Sequence, residues 1–420
     1  MALSFGLGLP PAPKKGGAPA AAIMARQADG FWFDFTKTDR LFQDSTGLIA
    51  SAAANDVIGL ASDQRLWAGQ TLTQVLAQQP EAYLYNGAPA SWPASATVNG
   101  ITATRLGTGT DADGSYAEYR AQGTSTATWC DFGAFLGGNS KTASSPGKMW
   151  RSRVRVKKVG GTTANIASLT QIIVEETSGN AYITQTGGNN IALDGSLGVG
   201  QVFRQLGSTT AYVRATLYLS VTSGAAIDIT LRVYDDISLK PVPGQHGVQT
   251  TNSLRPKYQT GGAQFDGSDD NLFTPYFAGS GANFVVAKVT VPASITATQI
   301  IAGVSDAGGT NPFRLAINTS GFVRGAVGSD LTIDGSVDLR GSTVVVGITC
   351  DGSEVIVFAG NAVATSKAQS GSPTTSQPWR IGSQNSDGNA ANFFAGTVRG
   401  IAAGREKLTL STFNRIAAAL

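Results

Sequence analysis

The stretch that decides the fold is Met149-Trp150-Arg151-Ser152-Arg153-Val154-Arg155-Val156. Its basic side chains recur at every second residue, which is the pattern of a strand with one buried and one exposed face. Runs of the same type follow it, separated by segments rich in Thr, Ser, Gly and Asn: Gln171–Val174, Ala211–Leu219 and Ile227–Tyr234. Antiparallel strands in succession must cover their apolar face with a second sheet. The sequence therefore predicts a β-sandwich at 91–243.

A second series of strand-like runs begins after the Pro/Gly-rich break at 241–247. Prolines and glycines interrupt strand pairing, so this break predicts a solvated linker between two modules. The later runs are rich in β-branched and aromatic residues: Ala263–Gly267, Phe284–Val291, Phe313–Ile317, Thr343–Ile348 and Glu354–Phe358. Residues 408–420 favour a short helix with Ser411 as its N-cap. We therefore expect an all-β chain of two tandem antiparallel β-sandwiches, the second at 250–420.

The N-terminal part of the chain lacks this patterning. Residues 1–30 are rich in Gly, Ala and Pro, and such a segment buries too little apolar surface to order by itself. We interpret it as a flexible anchor that orders on a partner, and 31–90, which begins with the aromatic cluster Phe31–Phe35, as a connector. Lys14 and Lys15 follow the first apolar stretch instead of preceding it, which argues against a signal peptide and for assembly inside the cell.

Composition narrows the functional classes. Only 14% of the 420 residues are charged, the net charge is +3, and glycine occurs 52 times. This composition suits short strands and tight turns, and the absence of a basic stripe with interleaved aromatics argues against a nucleic-acid partner. No apolar run approaches the ~18 residues that a membrane span needs. Cys130 and Cys350 are expected to be buried or half-buried free thiols, with a disulfide between them as the alternative.

The second module resembles the concanavalin A-like, laminin-G-like jelly roll. The likeness rests on three pieces spread over most of 255–420: Phe265-Asp266-Gly267-Ser268-Asp269-Asp270-Asn271-Leu272, Trp379-Arg380-Ile381-Gly382, and Phe394–Ile401 followed by a short helix. The first module ends in Ile227–Leu239, which looks like the last strand of carbohydrate-binding-module jelly rolls. The resemblance therefore implies jelly-roll topology for both sandwiches.

The succession of modules resembles surface proteins of tailed phages and of phage-derived gene transfer agents. The residues that carry this likeness are Leu41–Ser45 and the Arg255-Pro256 pair that leads into the Phe-Asp-Gly-x-Asp-Asp motif. In that class, such modules sit on head spikes or tail fibres and bind the polysaccharide of the host surface. The resemblance implies a virion-surface protein assembled in the bacterial cytoplasm, with capsid or tail proteins as partners of the N-terminal segment. Fibres are often trimeric, but no heptad repeat requires a homo-oligomer here.

Catalytic patterns are missing from the sequence. His246 is the single histidine and lies in the Pro/Gly break, so a Ser-His-Asp triad or a histidine metal site would depend on it alone. The Glu-x-Asp-x-Glu strand of laminarinase-type enzymes with the concanavalin A-like fold is absent. We expect no catalytic residues and no enzymatic activity.

Sugar binding combines an aromatic face with amide and carboxylate hydrogen bonds. The available aromatic platforms are Trp92, Trp129, Trp150, Tyr182, Tyr276 and Trp379. Trp150 and Trp379 lie within strand patterns and are expected in the core, whereas Tyr182 and Tyr276 lie beside loops rich in Gly and Asn. Polar loop groups of the right kind complete the predicted glycan-binding set: Asn189, Asn190, Asn385 and Asp387.

An acidic cluster offers a predicted metal site. Asp266, Asp269 and Asp270 could hold Ca²⁺, because hard cations bind clustered carboxylate and carbonyl oxygens, and modules of the resembled fold often bind calcium at one rim. The alternative is a turn in which Asp266 and Asp269 accept hydrogen bonds from local backbone N–H groups.

These features lead to one functional hypothesis with two alternatives. We expect a virion spike or fibre protein that binds bacterial surface polysaccharide for attachment. A capsid or tail decoration protein without glycan binding would use the same modules, and a polysaccharide depolymerase would need a carboxylate pair that the motifs do not reveal.

Overall fold

The structure of the protein, a computed structural model, describes residues 20–25, 30–45, 50–64, 72–83, 89–132, 141–328, 331–374, 376–386 and 388–420. These residues form an all-β fold with four sheets, arranged as two sandwiches. Strands and helices are numbered along the chain. The first three strands are β1 (Phe31–Asp34), β2 (Leu41–Phe42) and β3 (Leu60–Ala61). The α-helices are α1 (Ala20–Ala25), α2 (Leu72–Ala77) and α3 (Leu410–Ala417).

The first sandwich contains β4 to β15. Its strands are β4 (Ser95–Val98), β5 (Ile101–Asp111), β6 (Gly114–Thr124), β7 (Trp129–Asp131), β8 (Thr142–Ala143), β9 (Met149–Gly161), β10 (Ile166–Glu176), β11 (Tyr182–Asn190), β12 (Leu197–Gln205), β13 (Tyr212–Val221), β14 (Ala226–Tyr234) and β15 (Ser238–Val242). One sheet has the order β11-β10-β13-β7, with β8 also on β13. The other has the order β12-β9-β14-β6-β5-β4, with β15 also on β9. The predicted strand around Val154 is β9, and its basic residues face away from the core.

The second sandwich contains β16 to β31 and, in addition, β1 to β3. The remaining strands are β16 (Gly247–Val248), β17 (Lys257–Gln259), β18 (Gly262–Gln264), β19 (Leu272–Phe277), β20 (Asn283–Thr290), β21 (Gln299–Ser305), β22 (Phe313–Ile317), β23 (Val323–Val327), β24 (Leu331–Asp334), β25 (Thr343–Cys350), β26 (Glu354–Ala359), β27 (Ala362–Ala368), β28 (Pro378–Ile381), β29 (Gln384–Ser386), β30 (Asn389–Ala391) and β31 (Thr397–Gly404). One sheet has the order β17-β18-β31-β20-β25-β26-β27, with β1 on β31. The other runs β2-β3-β16-β19-β28-β21-β22-β23-β24, with β29 on β21 and β30 on β29.

The range predicted as a connector contributes strands to the second sandwich. Phe31, Phe33 and Phe35 alternate with Trp32 and Asp34, so the three phenylalanines point into the core of that sandwich. β1 pairs with β31, and β3 pairs with β16. The first sandwich is therefore inserted between two parts of the second.

The Pro/Gly break at 241–247 lies where the chain returns from the first sandwich to the second. It is not the solvated linker that the sequence predicts. His246 is only 1% exposed, and its Nδ1 accepts a hydrogen bond from the Asp63 backbone N–H at 3.2 Å. An apolar cluster joins strands of both sandwiches and α2 around these residues: Leu60, Val75, Leu76, Met149, Phe203, Val242 and Val248.

Helix α1 packs on the outer face of the second sandwich. Ile23 and Met24 are buried in a cluster with Phe413 and Ile416 of α3. This part of the segment predicted as a flexible anchor is therefore packed, whereas residues 1–19, with Lys14 and Lys15, and residues 26–29 lie outside the described residues. In the described part of the chain, no helix is long and apolar enough to cross a membrane.

The cysteines occupy separate cores. Cys130 lies in the core of the first sandwich and Cys350 in that of the second, and both are free thiols. The prediction of buried free thiols is confirmed, and the disulfide alternative is wrong. Trp150 and Trp379 are core residues, as their strand patterns predicted.

Candidate functional site

The two tyrosines predicted as sugar platforms differ in their exposure to solvent. Tyr182 begins β11 and is 61% exposed. Tyr276 is 1% exposed, packs against Phe31 and Trp379, and donates its hydroxyl hydrogen to the Gly404 carbonyl oxygen at 3.1 Å. Tyr276 therefore has no face to offer to a ligand, and the prediction for it is wrong.

Asn189 and Asn190 lie at the opposite end of β11 from Tyr182, so the three residues form no common site. Asn189 links two strands: its Nδ2 donates to the Val199 carbonyl oxygen at 2.7 Å, and its Oδ1 accepts from the Gln201 backbone N–H at 3.1 Å. Its amide therefore maintains the contact between β11 and β12. Asn190 is exposed and accepts a long hydrogen bond from the hydroxyl of Thr170 at 3.4 Å.

Asn385 is fully buried in the second sandwich. Its Nδ2 donates to the Pro378 carbonyl oxygen at 2.6 Å, and its Oδ1 accepts from the Gly388 backbone N–H at 2.9 Å. These bonds hold the turn after β29, so the prediction that Asn385 contacts glycan is wrong. Asp387 lies outside the described residues.

Tyr182 belongs to a site on the exposed face of the β11-β10-β13-β7 sheet. We call it the outer-face site, and it is a cavity of about 350 Å³ with six residues in its described lining: Trp129, Asp131, Tyr182, Gln185, Arg214 and Tyr218. It combines three aromatic rings with three polar groups, and its volume is in the range of small-ligand pockets.

Strand alternation places these residues on one face. On β13, Val213, Leu217 and Leu219 are fully buried in the core, so Arg214 and Tyr218 point the other way. The register brings Asp131 of β7 directly opposite Tyr218. Cross-strand neighbours in direct register share a face, so β7 and β13 build the site together.

The aromatic part of the site is open to solvent. The rings of Trp129 and Tyr218 stack with centroids 6.0 Å apart and planes 11° from parallel, and Trp129 is 38% exposed. Burial, Asp131 and Tyr182 together raise the pKa of the Tyr218 hydroxyl, which keeps it neutral and able to donate a hydrogen bond. The site therefore presents an exposed aromatic stack together with tyrosine hydroxyl groups.

The polar part of the site is held by Arg214. Its Nε donates to Glu176 Oε1 at 3.0 Å, and its Nη1 donates to Asp131 Oδ2 at 3.2 Å. Lys141 forms a further ion pair with Glu176, and the Thr216 hydroxyl donates to Asp131. Two cations thus face two carboxylates. The network fixes the positions of its donors and acceptors and leaves little net charge.

Sequence reasoning found Tyr182 and named Trp129 among the platforms, but it missed Asp131, Gln185, Arg214 and Tyr218. The alternation in Ala211–Leu219 contains the signal for Arg214 and Tyr218, because both occupy even positions of that strand. Which face of the strand is exposed depends on the partner sheet, and the local pattern does not specify that.

The predicted metal-binding residues do lie together. One carboxylate oxygen from each of Asp266, Asp269 and Asp270 falls within 4.8 Å of the others. Asp266 Oδ1 also accepts from the backbone N–H groups of Ser268, Asp269 and Asp270, at 2.8 to 3.4 Å. The turn of the alternative prediction is therefore formed by Asp266, and the three carboxylates are also grouped as a cation site would need.

Comparisons with known proteins give distant matches to solved structures. No protein-family model matches the chain, and no curated protein matches it. The carbohydrate-binding module CBM40 of the Ruminococcus gnavus IT-sialidase, solved with α2,3-sialyllactose, is 19% identical, with 33% of this chain and 82% of that chain covered and a TM-score of 0.29.

Two whole sialidases match to a similar extent. A K499G mutant of the NanB sialidase from Streptococcus pneumoniae is 14% identical, with 36% of this chain and 26% of that chain covered and a TM-score of 0.30. A Trypanosoma rangeli sialidase mutant displaying trans-sialidase activity is 13% identical, with 40% of this chain and 29% of that chain covered and a TM-score of 0.32. The matched region thus spans less than a third of each of these two sialidases.

Proposed function

We propose that the chain is a non-enzymatic carbohydrate-binding protein and that the outer-face site holds the sugar. The observation that carries the proposal is the exposed stack of Trp129 on Tyr218, with Tyr182 lining the same cavity of about 350 Å³. Aromatic rings bury the apolar face of a pyranose, and a few fixed polar groups then orient its hydroxyls. Asp131 and Gln185 supply carboxylate and amide groups for those hydroxyls.

The ionisation of Glu176, which holds Arg214 beside the site, supports binding without cleavage. A glycosidase needs one carboxylic acid with a raised pKa, placed ~5–9.5 Å from a second carboxylate. Burial alone would raise the pKa of Glu176, but hydrogen bonds from Lys141 and Arg214 outweigh it, and the net shift is downward. Glu176 is therefore held ionised, as an acceptor, and is unsuited to act as a general acid.

We propose that the biological setting is attachment of a virion to bacterial surface polysaccharide. The resemblance of Leu41–Ser45 and of the Arg255-Pro256 region to phage and gene-transfer-agent surface proteins supports this setting. The outer-face site belongs to the inserted sandwich, whereas α1, which lies within the N-terminal segment, packs on the other sandwich. Docking to capsid or tail proteins through residues 1–30 would then use a different sandwich from the one that binds sugar.

The test measures binding of the purified full-length chain to capsulated and capsule-free host cells by sedimentation, with released reducing sugar assayed in parallel. We expect capsule-dependent binding without sugar release. Trp129→Ala and Tyr182→Ala should each weaken binding about 10-fold or more, the size expected for a central aromatic contact. Tyr182→Phe keeps the ring and should retain most of the affinity.

Leu106→Ala is the matched control, because Leu106 is 56% exposed and lies on β5 of the other sheet. Binding that survives both aromatic substitutions would overturn the outer-face site as the locus. Absence of capsule-dependent binding would favour a decoration protein, and release of reducing sugar would favour a depolymerase.

A further inference from the structure

A second cavity lies on the other sheet of the first sandwich. It measures about 670 Å³ and is bounded by α2 and the residues after it on one side and by β9, β15 and the turn between β14 and β15 on the other. We call it the polar cavity. Six charged residues of its lining carry the argument: Glu81, Arg151, Arg153, Asp235, Asp236 and Lys240.

Direct hydrogen bonds fix the walls of the polar cavity. The backbone N–H of Ala82 donates to the Leu239 carbonyl oxygen at 2.9 Å, and the Leu239 N–H donates to Glu81 Oε1 at 2.7 Å. Lys240 Nζ donates to the Leu76 carbonyl oxygen at 3.1 Å, which ties α2 to β15. The cavity is therefore formed before any ligand arrives, which lowers the ordering cost of binding.

Two cations of the cavity have neutral partners. Arg151 directs Nε and Nη2 to the amide oxygen of Gln201, with Nε at 2.9 Å, and Lys240 bonds to a backbone carbonyl oxygen. Within the described residues, neither forms an ion pair with a carboxylate. Burial, together with the neighbouring Arg153, lowers the pKa of Arg151 to about 10, although Asp236 and Glu81 oppose the shift.

Two carboxylate oxygens of the cavity have no donor. Glu81 Oε2 and Asp236 Oδ1 are buried without a hydrogen-bond partner in the structure. The second oxygen of Asp236 is shared by Arg153 and Arg155, and Glu81 Oε1 accepts two backbone N–H bonds. Both oxygens are shielded from solvent, so they add negative charge to the wall of the cavity but are not contact atoms for a ligand.

We propose that the polar cavity is a second ligand site, specific for a carboxylated saccharide of about two rings. The sugar carboxylate pairs with Arg151 and Lys240, which lie directly opposite each other on β9 and β15 and both line the cavity. A phosphate group, with a charge near −2, is disfavoured because Glu81, Asp235 and Asp236 line the same cavity. This site is separate from the outer-face site and does not depend on it.

The experiment is calorimetric titration of the full-length chain with uronic acid disaccharides, glucuronyl and galacturonyl, each compared with its neutral counterpart. We expect saturable binding of at least one acidic disaccharide and binding of its neutral counterpart that is at least 10-fold weaker. Arg151→Met and Lys240→Met should each remove most of this preference.

Arg120→Met is the matched control, since Arg120 lies on the same sheet, is half exposed and pairs with Asp228 outside the cavity. Tyr182→Ala should also leave this binding unchanged, which separates the polar cavity from the outer-face site. Thermal unfolding establishes that each variant is folded. If Arg151→Met does not fold, Lys240→Met provides the test. No binding of any acidic disaccharide, or equal binding of acidic and neutral ligands, would overturn the proposal.

Discussion

Arg214 is the cation that a sugar would meet in the proposed outer-face site. Asp131 and Glu176 both accept its hydrogen bonds, and Lys141 also pairs with Glu176, so the four charges cancel. A carboxylated sugar would have to displace a protein carboxylate from Arg214, whereas a neutral sugar needs no such exchange. At the scale of residues, the outer-face site should therefore prefer uncharged sugars, in contrast to the polar cavity.

Asp131→Asn tests this view of the outer-face site. The substitution removes one of the two carboxylates on Arg214 and keeps an oxygen of similar position. We expect affinity for a carboxylated sugar to rise by about 10-fold, equivalent to ~1.4 kcal/mol, and affinity for a neutral sugar to stay nearly constant. Arg151→Met is added to this variant to remove binding at the polar cavity, so that the titration reports the outer-face site alone. Unchanged selectivity in that double variant would show that Arg214 is not available to ligands.

Asp270 should make stability fall as pH rises. Burial and the neighbouring carboxylates of Asp266 and Asp269 raise its pKa to about 7, from an ordinary value of 3.8. Because the folded pKa is above the unfolded one, this contribution is fully present below about pH 4 and is lost as pH rises through about 7. Asp270→Asn removes the titration and should raise the free energy of unfolding at pH 8 by about 2 kcal/mol.

Urea unfolding in EDTA between pH 4 and 8 measures this difference. Millimolar calcium is the second arm. If the three aspartates bind the cation, calcium should stabilise the wild type at pH 8 and have no effect on the variant. If the three aspartates form only a turn, calcium should change the stability of neither the wild type nor the variant. Parallel loss of stability in wild type and variant would show that Asp270 titrates normally.

At the scale of elements, the sequence specifies strands better than their surroundings. The alternation in Met149–Val156 predicts β9, and the runs around Val286 and Val357 predict β20 and β26. The predictions that Tyr276 and Asn385 contact glycan are wrong because the burial of these side chains depends on residues far away in the chain. Phe31, for example, packs against Tyr276. A pattern of neighbouring residues cannot show which distant strand will cover it.

The first turn of helix α3 shows that the sequence pattern also leaves the exact start of a helix open. The sequence predicts Ser411 as the N-cap, but the helix begins at Leu410, and the Thr409 hydroxyl accepts from the Thr412 backbone N–H at 3.2 Å. Thr409→Ala should lower the free energy of unfolding by about 1 kcal/mol. Ser411→Ala, the matched control, should change it by less than ~0.5 kcal/mol. Equal effects in guanidinium unfolding would assign the cap to neither residue.

At the scale of the whole molecule, the point where the chain leaves the second sandwich lies beside the point where it returns. The Asp63 backbone N–H donates to His246, and the Gln245 N–H donates to Asp63 Oδ2 at 2.7 Å. Adjacent ends of this kind make insertion of a domain compatible with the host fold. The inserted sandwich carries both proposed ligand sites, and the host sandwich carries α1 and α3.

Insertion predicts which fragments fold. A chain that lacks 65–243, with Gln64 joined to Gly244 by a short Gly/Ser linker, keeps β1, β2 and β3 and should unfold cooperatively. The fragment 250–420 lacks those strands and loses Phe31, Phe33 and Phe35 from its core. Removing one such side chain typically costs ~3–5 kcal/mol, so loss of all three exceeds the stability of an ordinary domain. We expect near-UV circular dichroism and a sharp thermal transition for the first protein and neither for the second. A native-like 250–420 fragment would mean that β1 to β3 are dispensable and that the two sandwiches are independent in folding.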